Sequence, residues 1–111
     1  MRNDAAGYNL RVTRDDIITT LQDAMPELRR EFSIRGLALF GSIARGDDEP
    51  GSDIDVLVEF DEGAMVTLFT LSRLLQRLTK LLGRNVDVIE DHPGLGARFR
   101  ENISRDLCRV A

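Results

Sequence analysis

A chain of 111 residues has room for one hydrophobic core and not for two. With 42% apolar and 31% charged residues it reads as an ordinary globular protein, and no apolar run approaches the ~20 residues that span a bilayer, so no membrane association is expected. Its net charge of −4 lacks the basic footprint of an autonomous nucleic-acid binder; an anionic ligand would need a metal to bridge it.

The single Cys108 excludes an internal disulfide, and with one histidine there is no zinc cluster of the usual spacing. The first residues, MRNDAAGYNLRV, have no apolar h-region, which predicts a cytoplasmic protein. Residues 1–12 carry no periodicity and read as a loose arm ahead of a single domain over 13–111. Thr13 followed by Asp16 forms a capping-box pattern. Ile17, Ile18, Leu21, Ala24, Met25 and Leu28 then recur at helical spacing, so a helix is expected from about Arg14, kinked or restarted at Pro26.

The run GLALF, residues 36–40, reads as a buried strand that delivers Gly41 and Ser42 into a turn. The following IARGDDEPGS, residues 43–52, has a loop composition, with one helical turn at its start. A second strand is predicted from about Ser52 to Phe60. Leu68, Leu71, Leu75, Leu78 and Leu82 mark one face of a helix closed by Gly83. NVDVIE, residues 85–90, is a third strand, in which Asp87 interrupts the apolar run of Val86, Val88 and Ile89. Leu95, Phe99, Ile103 and Leu107 define a C-terminal amphipathic helix with Arg98, Arg100 and Arg105 on its polar side. These last two helices are expected to supply most of the core, Leu75 included. The order helix, strand, strand, helix, strand, helix is an α/β arrangement, a small sheet packed by helices.

Chemistry concentrates between Gly41 and Val58. Side chains alternate along a strand, so Asp53 and Asp55 share one face while Ile54, Val56 and Val58 take the other. Carboxylates two residues apart, roughly 7 Å at the backbone, can lean together onto a hard cation such as magnesium. Asp-x-Asp alone is common on solvated faces. Here it follows a Gly-Ser turn by a ten-residue interval, and Asp87 adds a third in-strand acid. Charges buried in a sheet are costly without a partner, which predicts a cation among the three. DDEPGSDID offers no EF-hand window, because acids and glycine do not fall at the required positions. His92, beside Pro93, reads as a surface turn residue.

Gly41-Ser42, ten residues, then Asp53-x-Asp55 resembles the signature of the DNA polymerase beta-like nucleotidyltransferase superfamily. The stretch GSIARGDDEPGSDIDVLVEF is similar to its minimal single-domain branch, the MNT proteins, many of which are antitoxins of HEPN-family ribonuclease toxins. The resemblance covers about residues 13–107 and implies the polymerase beta-like fold, an α+β domain with a small mixed sheet flanked by helices. By that resemblance Gly41 and Ser42 hold the nucleoside triphosphate. Asp53 and Asp55 bind Mg2+, and Asp87 is the third catalytic and metal-binding carboxylate. Arg45 matches a basic residue this branch commonly carries after the Gly-Ser turn, for which phosphate pairing and plain solvation are both open. Two ions would serve an in-line displacement at the α-phosphate, with Asp87 open as a metal ligand alone or as ligand and acceptor of the hydroxyl proton. Elementary chemistry agrees with these roles. Glycine has no Cβ to keep a phosphate away, and serine offers both N–H and hydroxyl. Relatives often have proline where Gly96 stands, and often an aromatic ending where this chain has Cys108 to Ala111; both differences concern how the last helix meets a partner.

With no room for an acceptor-binding domain, the acceptor is expected to be small or to be held by another protein. Transfer of AMP from ATP to a tyrosine hydroxyl of a HEPN toxin is the function the resemblance implies. A non-catalytic antitoxin acting by stoichiometric contact, and transfer to a small molecule, are the alternatives. An intact Gly-Ser turn with three aspartates favours catalysis.

Overall fold

The computed structural model describes residues 13–49 and 51–111, so the expected arm over residues 1–12 lies outside the described residues. Helix α1 (Arg14–Phe32) starts as its capping box dictates: the Thr13 hydroxyl accepts the Asp16 N–H, and the Asp16 carboxylate accepts the Thr13 N–H. The restart expected at Pro26 is absent. α1 is one element through that position, because Pro26 and Gln22, whose carbonyl loses its intrahelical donor, are both exposed and water can take the lost bond.

Strand β1 (Ile34–Phe40) leads directly into the short helix α2 (Gly41–Arg45), the helical turn expected at the start of the motif loop. Strand β2 (Ile54–Phe60), helix α3 (Leu68–Leu82), strand β3 (Val86–Glu90) and helix α4 (Ala97–Ser104) follow. Gly83, at φ +69°, caps α3 as expected, its N–H donating to the Thr79 carbonyl. A two-residue strand β4 (Cys108–Arg109) has no counterpart among the expected elements. It is too short to carry an alternating pattern and exists through its partner, aligning with Ala38 and Leu39 of β1 while the Val110 N–H bonds the Leu37 carbonyl at 2.8 Å.

The four-stranded sheet has the order β3-β2-β1-β4. β1 runs antiparallel to both β2 and β4, whereas β2 and β3 are parallel and joined by α3 as the crossover, giving the expected mixed sheet. One face, carrying Leu37, Leu39, Ile54, Val56 and Val58, packs on Ile17, Leu21, Met25 and Leu28 of α1 and on Leu74, Leu78 and Leu82 of α3. The other face is smaller: Ala38, Phe40 and Leu57 meet Phe99 and Ile103 of α4 together with Leu95 and Leu107. The expectation that the last two helices dominate the core is therefore corrected. α4 contributes no fully buried residue, while α1 contributes five, and the motif helix itself buries Ile43 and Ala44.

The leucine stripe of α3 also needs correction. Leu74, Leu78 and Leu82 are buried; Leu68 is 84% exposed and Leu75 is 37% exposed. Leu78 and Leu82 of the expected stripe are buried as predicted, but packing against α1 and the sheet turns the helix so that Leu74 joins them in place of Leu68 and Leu75. Leu78→Ala is accordingly expected to cost about 2–5 kcal/mol in denaturant unfolding, and Leu75→Ala less than half of that. Equal shifts of the two midpoints would contradict this placement of the helix.

Candidate active site

The site is built at one end of the sheet, where β1 finishes and β2 and β3 begin. Register places Asp55 beside Phe40 on β1 and beside Asp87 on β3. By strand alternation Asp55, Leu57, Asp87 and Ile89 share the face that α4 covers further along, while Ile54, Val56 and Val58 point into the main core as expected. Asp53 immediately precedes β2 rather than lying within it. The strand starts only where the Ile54 N–H reaches the Asn85 carbonyl at 2.9 Å.

The acids are less buried than their apolar neighbours suggested: Asp53 and Asp87 are exposed and Asp55 is half-buried. They nevertheless feel one another. The Asp55 carboxyl is held above its ordinary pKa first by burial, then by repulsion from Asp87 and from Asp53, with Arg45 pulling it the other way. Among the described residues none of the three is paired with a lysine or arginine. Nor does any group of three His, Cys, Asp or Glu side chains there already converge on one point. The donor set still fits a hard divalent cation: hard oxygen ligands at the starts of adjacent strands, repelling one another and, among the described residues, without a direct ion-pair partner.

Gly41 sits directly over this carboxylate. Its φ is +76°, and a Cβ built there would stand 2.3 Å from Asp55 Oδ2, so glycine lets the chain turn across the acid without displacing it. Ser42 follows in the first turn of α2, half-buried, and its carbonyl accepts from Gly46 and Asp47 N–H groups at 3.0 and 3.1 Å. α2 is tied to the rest of the domain by Arg14, whose Nη1 donates to the Ala44 carbonyl at 2.9 Å. Arg45 is not a free cation: its Nε meets Asp47 at 3.1 Å and its Nη1 meets Asp106 at 3.2 Å, which joins α2 to the segment after α4. Both hydrogen bonds hold the guanidinium firmly protonated. Of the expected site residues, Gly41, Asp53, Asp55 and Asp87 thus come together, Ser42 flanks them, and Arg45 reaches the site through its charge while its donors are engaged elsewhere.

Spacing gave no warning of the cavity beside them. It has a volume of about 510 Å3, with Asp55 and Asp87 on one side and Phe40, Leu71, Leu75, Ile89 and Phe99 among its walls. Phe40 and Phe99 meet edge to face with ring centroids 6.1 Å apart. Leu75, off the buried face of α3, finds its role here, and the exposed Leu68 lines the same cavity. A larger hollow of about 630 Å3 lies at the other end of the strands, among Arg35, Glu59, Asp61 and Glu90, and holds none of the motif residues. His92 borders that hollow in an exposed turn, its Nδ1 accepting the Gly94 N–H at 2.9 Å, in line with its reading as a surface residue. Among the described residues no helix is long and apolar enough to cross a membrane.

Comparison with known proteins gives a consistent picture. The family described as "Nucleotidyltransferase domain" matches residues 21–110. "Putative protein adenylyltransferase MJ1379" of Methanocaldococcus jannaschii is 34% identical over 98 residues, which is 88% of this chain and 98% of that protein. "Protein adenylyltransferase MntA" of Thermococcus cleftensis is 36% identical over 78 residues, 70% of this chain and 77% of its own length. Among solved structures, a "putative minimal nucleotidyltransferase" superposes with a TM-score of 0.68 at 33% identity, covering 91% of this chain and 97% of that one. A toxin–antitoxin structure with AMP-PNP reaches a TM-score of 0.65 over 81% of this chain and 72% of its own. At 20% identity it is a likeness of fold alone.

Proposed function

This chain belongs to the nucleotidyltransferase domain family, and from that premise we propose that it is a magnesium-dependent adenylyltransferase antitoxin, acting in the cytoplasm to move AMP from ATP onto a tyrosine hydroxyl of a partner HEPN ribonuclease toxin. The working unit is residues 13–111 as one domain. The observation that carries the reading is the cavity: an apolar, partly aromatic chamber of about 510 Å3 opening onto Asp55 and Asp87 suits a planar side chain presented with its hydroxyl toward the acids. The archaeal relatives named as protein adenylyltransferases support the acceptor class, and the structures that share its fold include an MNT antitoxin with a tri-AMPylated HEPN toxin.

In this reading Gly41 allows a phosphate to approach the backbone, and Ser42 offers its N–H and hydroxyl to the triphosphate. Asp53, Asp55 and Asp87 would hold magnesium, as two ions. Bound there, magnesium would neutralise charge on the triphosphate and make the attacking hydroxyl more acidic. The cavity walls fix the ring, and Asp87, on the cavity side, accepts the hydroxyl proton. An oxygen–phosphorus bond forms at the α-phosphate as the bond to pyrophosphate breaks, so tyrosine gains AMP and pyrophosphate leaves. Arg45, held by Asp47 and Asp106, contributes positive potential near Asp55 and orders α2.

The test is to incubate the protein with its HEPN partner, ATP and magnesium and to weigh the partner. Addition of AMP to a tyrosine, with loss of ribonuclease activity, is the expected result. Neutralisation with no added mass would establish the stoichiometric antitoxin instead, and label on a small molecule alone would move the acceptor out of the protein class.

A further inference from the structure

Arg84 follows the glycine that ends α3, where a charged residue ordinarily points into water. Its side chain is instead only 16% exposed, and it faces the Asp48 carboxylate, 8% exposed, at 3.5 Å. Its other terminal nitrogen donates to the Ser52 carbonyl, and its Nε is buried with no hydrogen-bond partner among the described residues. An ion pair so enclosed and incompletely satisfied is a poor device for stability, since apolar replacements of such pairs are often neutral or stabilising. What it does accomplish is positional. Asp48 and Ser52 both belong to the loop between α2 and β2, whose last residue before the strand is Asp53. That loop is closed on itself by Glu49 and Ser52, with the Ser52 N–H on the Glu49 carbonyl at 2.9 Å and the Glu49 N–H on the Ser52 hydroxyl at 3.0 Å. Among the described residues Arg84 ties this closed loop to the start of β3, next to the Ile54–Asn85 backbone bond.

We propose that Arg84 is a positioning residue for the metal site: by gripping the Ser52 carbonyl and Asp48 together it fixes the direction in which Asp53 leaves the loop relative to Asp55 and Asp87. This rests on the reading of those aspartates as metal ligands. Arginine suits the task because one planar group reaches two acceptors, which a lysine ammonium does less well. Residues that orient ligands in this way typically change metal affinity by roughly 10–100-fold when removed.

The experiment uses the full chain with Mn2+ as the probe, titrated calorimetrically into the parent, Arg84→Met and Arg84→Lys, beside amide hydrogen exchange of each. In Arg84→Met, Mn2+ should bind roughly 10–100-fold more weakly, and amides of residues 51–54 should exchange faster while those of Leu74 to Leu82 keep their protection. Arg84→Lys should fall between, and it serves as the readable variant if the methionine chain does not fold. A folded variant with parental Mn2+ affinity, or with parental exchange in the loop, overturns the proposal. If the parent itself binds no Mn2+, the metal reading of the aspartates fails, and the positioning role falls with it.

Discussion

Gly41→Ala should lower the rate of nucleotidyl transfer by about 100-fold or more, while a matched change five residues later leaves it nearly intact. Two effects are stacked at this position. The backbone lies at φ +76°, where a Cβ costs about 1–2 kcal/mol, and that Cβ would stand 2.3 Å from Asp55 Oδ2. The carboxylate is the softer partner and must rotate away, and a displacement of this scale at a reacting centre is worth about 10²-fold. Gly46 separates strain from collision. It has φ +81°, and a Cβ added there would meet nothing within 4 Å, so Gly46→Ala should show a similar loss of stability without the loss of transfer. Transfer rates and denaturant midpoints on both variants decide the matter. Parental transfer by a folded Gly41→Ala would mean that the Asp55 carboxylate is not where the chemistry happens.

That contrast also shows what a sequence can and cannot carry. Gly41, Ser42, Asp53 and Asp55 are legible because their relation is local: a turn, a fixed interval and a two-residue alternation. Asp87 shows in the local pattern only as an odd acid in an apolar strand, and it is the resemblance, not its spacing, that joins it to the other two. Its place beside Asp55 depends on the parallel register of β2 with β3, which the α3 crossover sets and no local pattern encodes. The face of α3 is legible only in part, at Leu78 and Leu82 but not at Leu74, for a related reason. Its leucines populate two adjoining stripes, either of which satisfies a helical period, and the choice falls to the surface of α1 and the sheet beneath it. Leu75, core by its spacing, instead lines the chamber beside the acids. β4 is two residues long and owes its conformation wholly to β1. Arg84, after a helix-ending glycine, carries the signature of a solvated residue, and its partners Asp48 and Ser52 come from the loop between α2 and β2, more than thirty residues away in sequence.

Asp55→Asn should divide catalysis from stability in opposite directions. Loss of one member of a catalytic unit costs roughly 10⁴-fold or more, so no AMP should appear on the partner under conditions where the parent modifies it fully. Stability of the metal-free protein should rise. The Asp55 carboxyl has a folded-state pKa above its unfolded value, chiefly through burial and then through Asp87 and Asp53, so its contribution to stability is retained below the unfolded pKa and declines as pH rises through the folded one. Asparagine removes that penalty. Without divalent metal the variant should therefore melt higher than the parent at neutral pH, and the difference should vanish as the pH falls below about 3.9. Added magnesium and ATP should reverse the order, because a ligand that binds only the folded parent stabilises it by mass action while the variant gains little. Thermal melts across pH, with and without Mg2+ and ATP, read all three effects. An Asp55→Asn protein that melts at the parental temperature throughout would remove the electrostatic account of the site. One that still adds AMP to the partner would remove Asp55 from the chemistry and leave the chamber beside it in need of another acid.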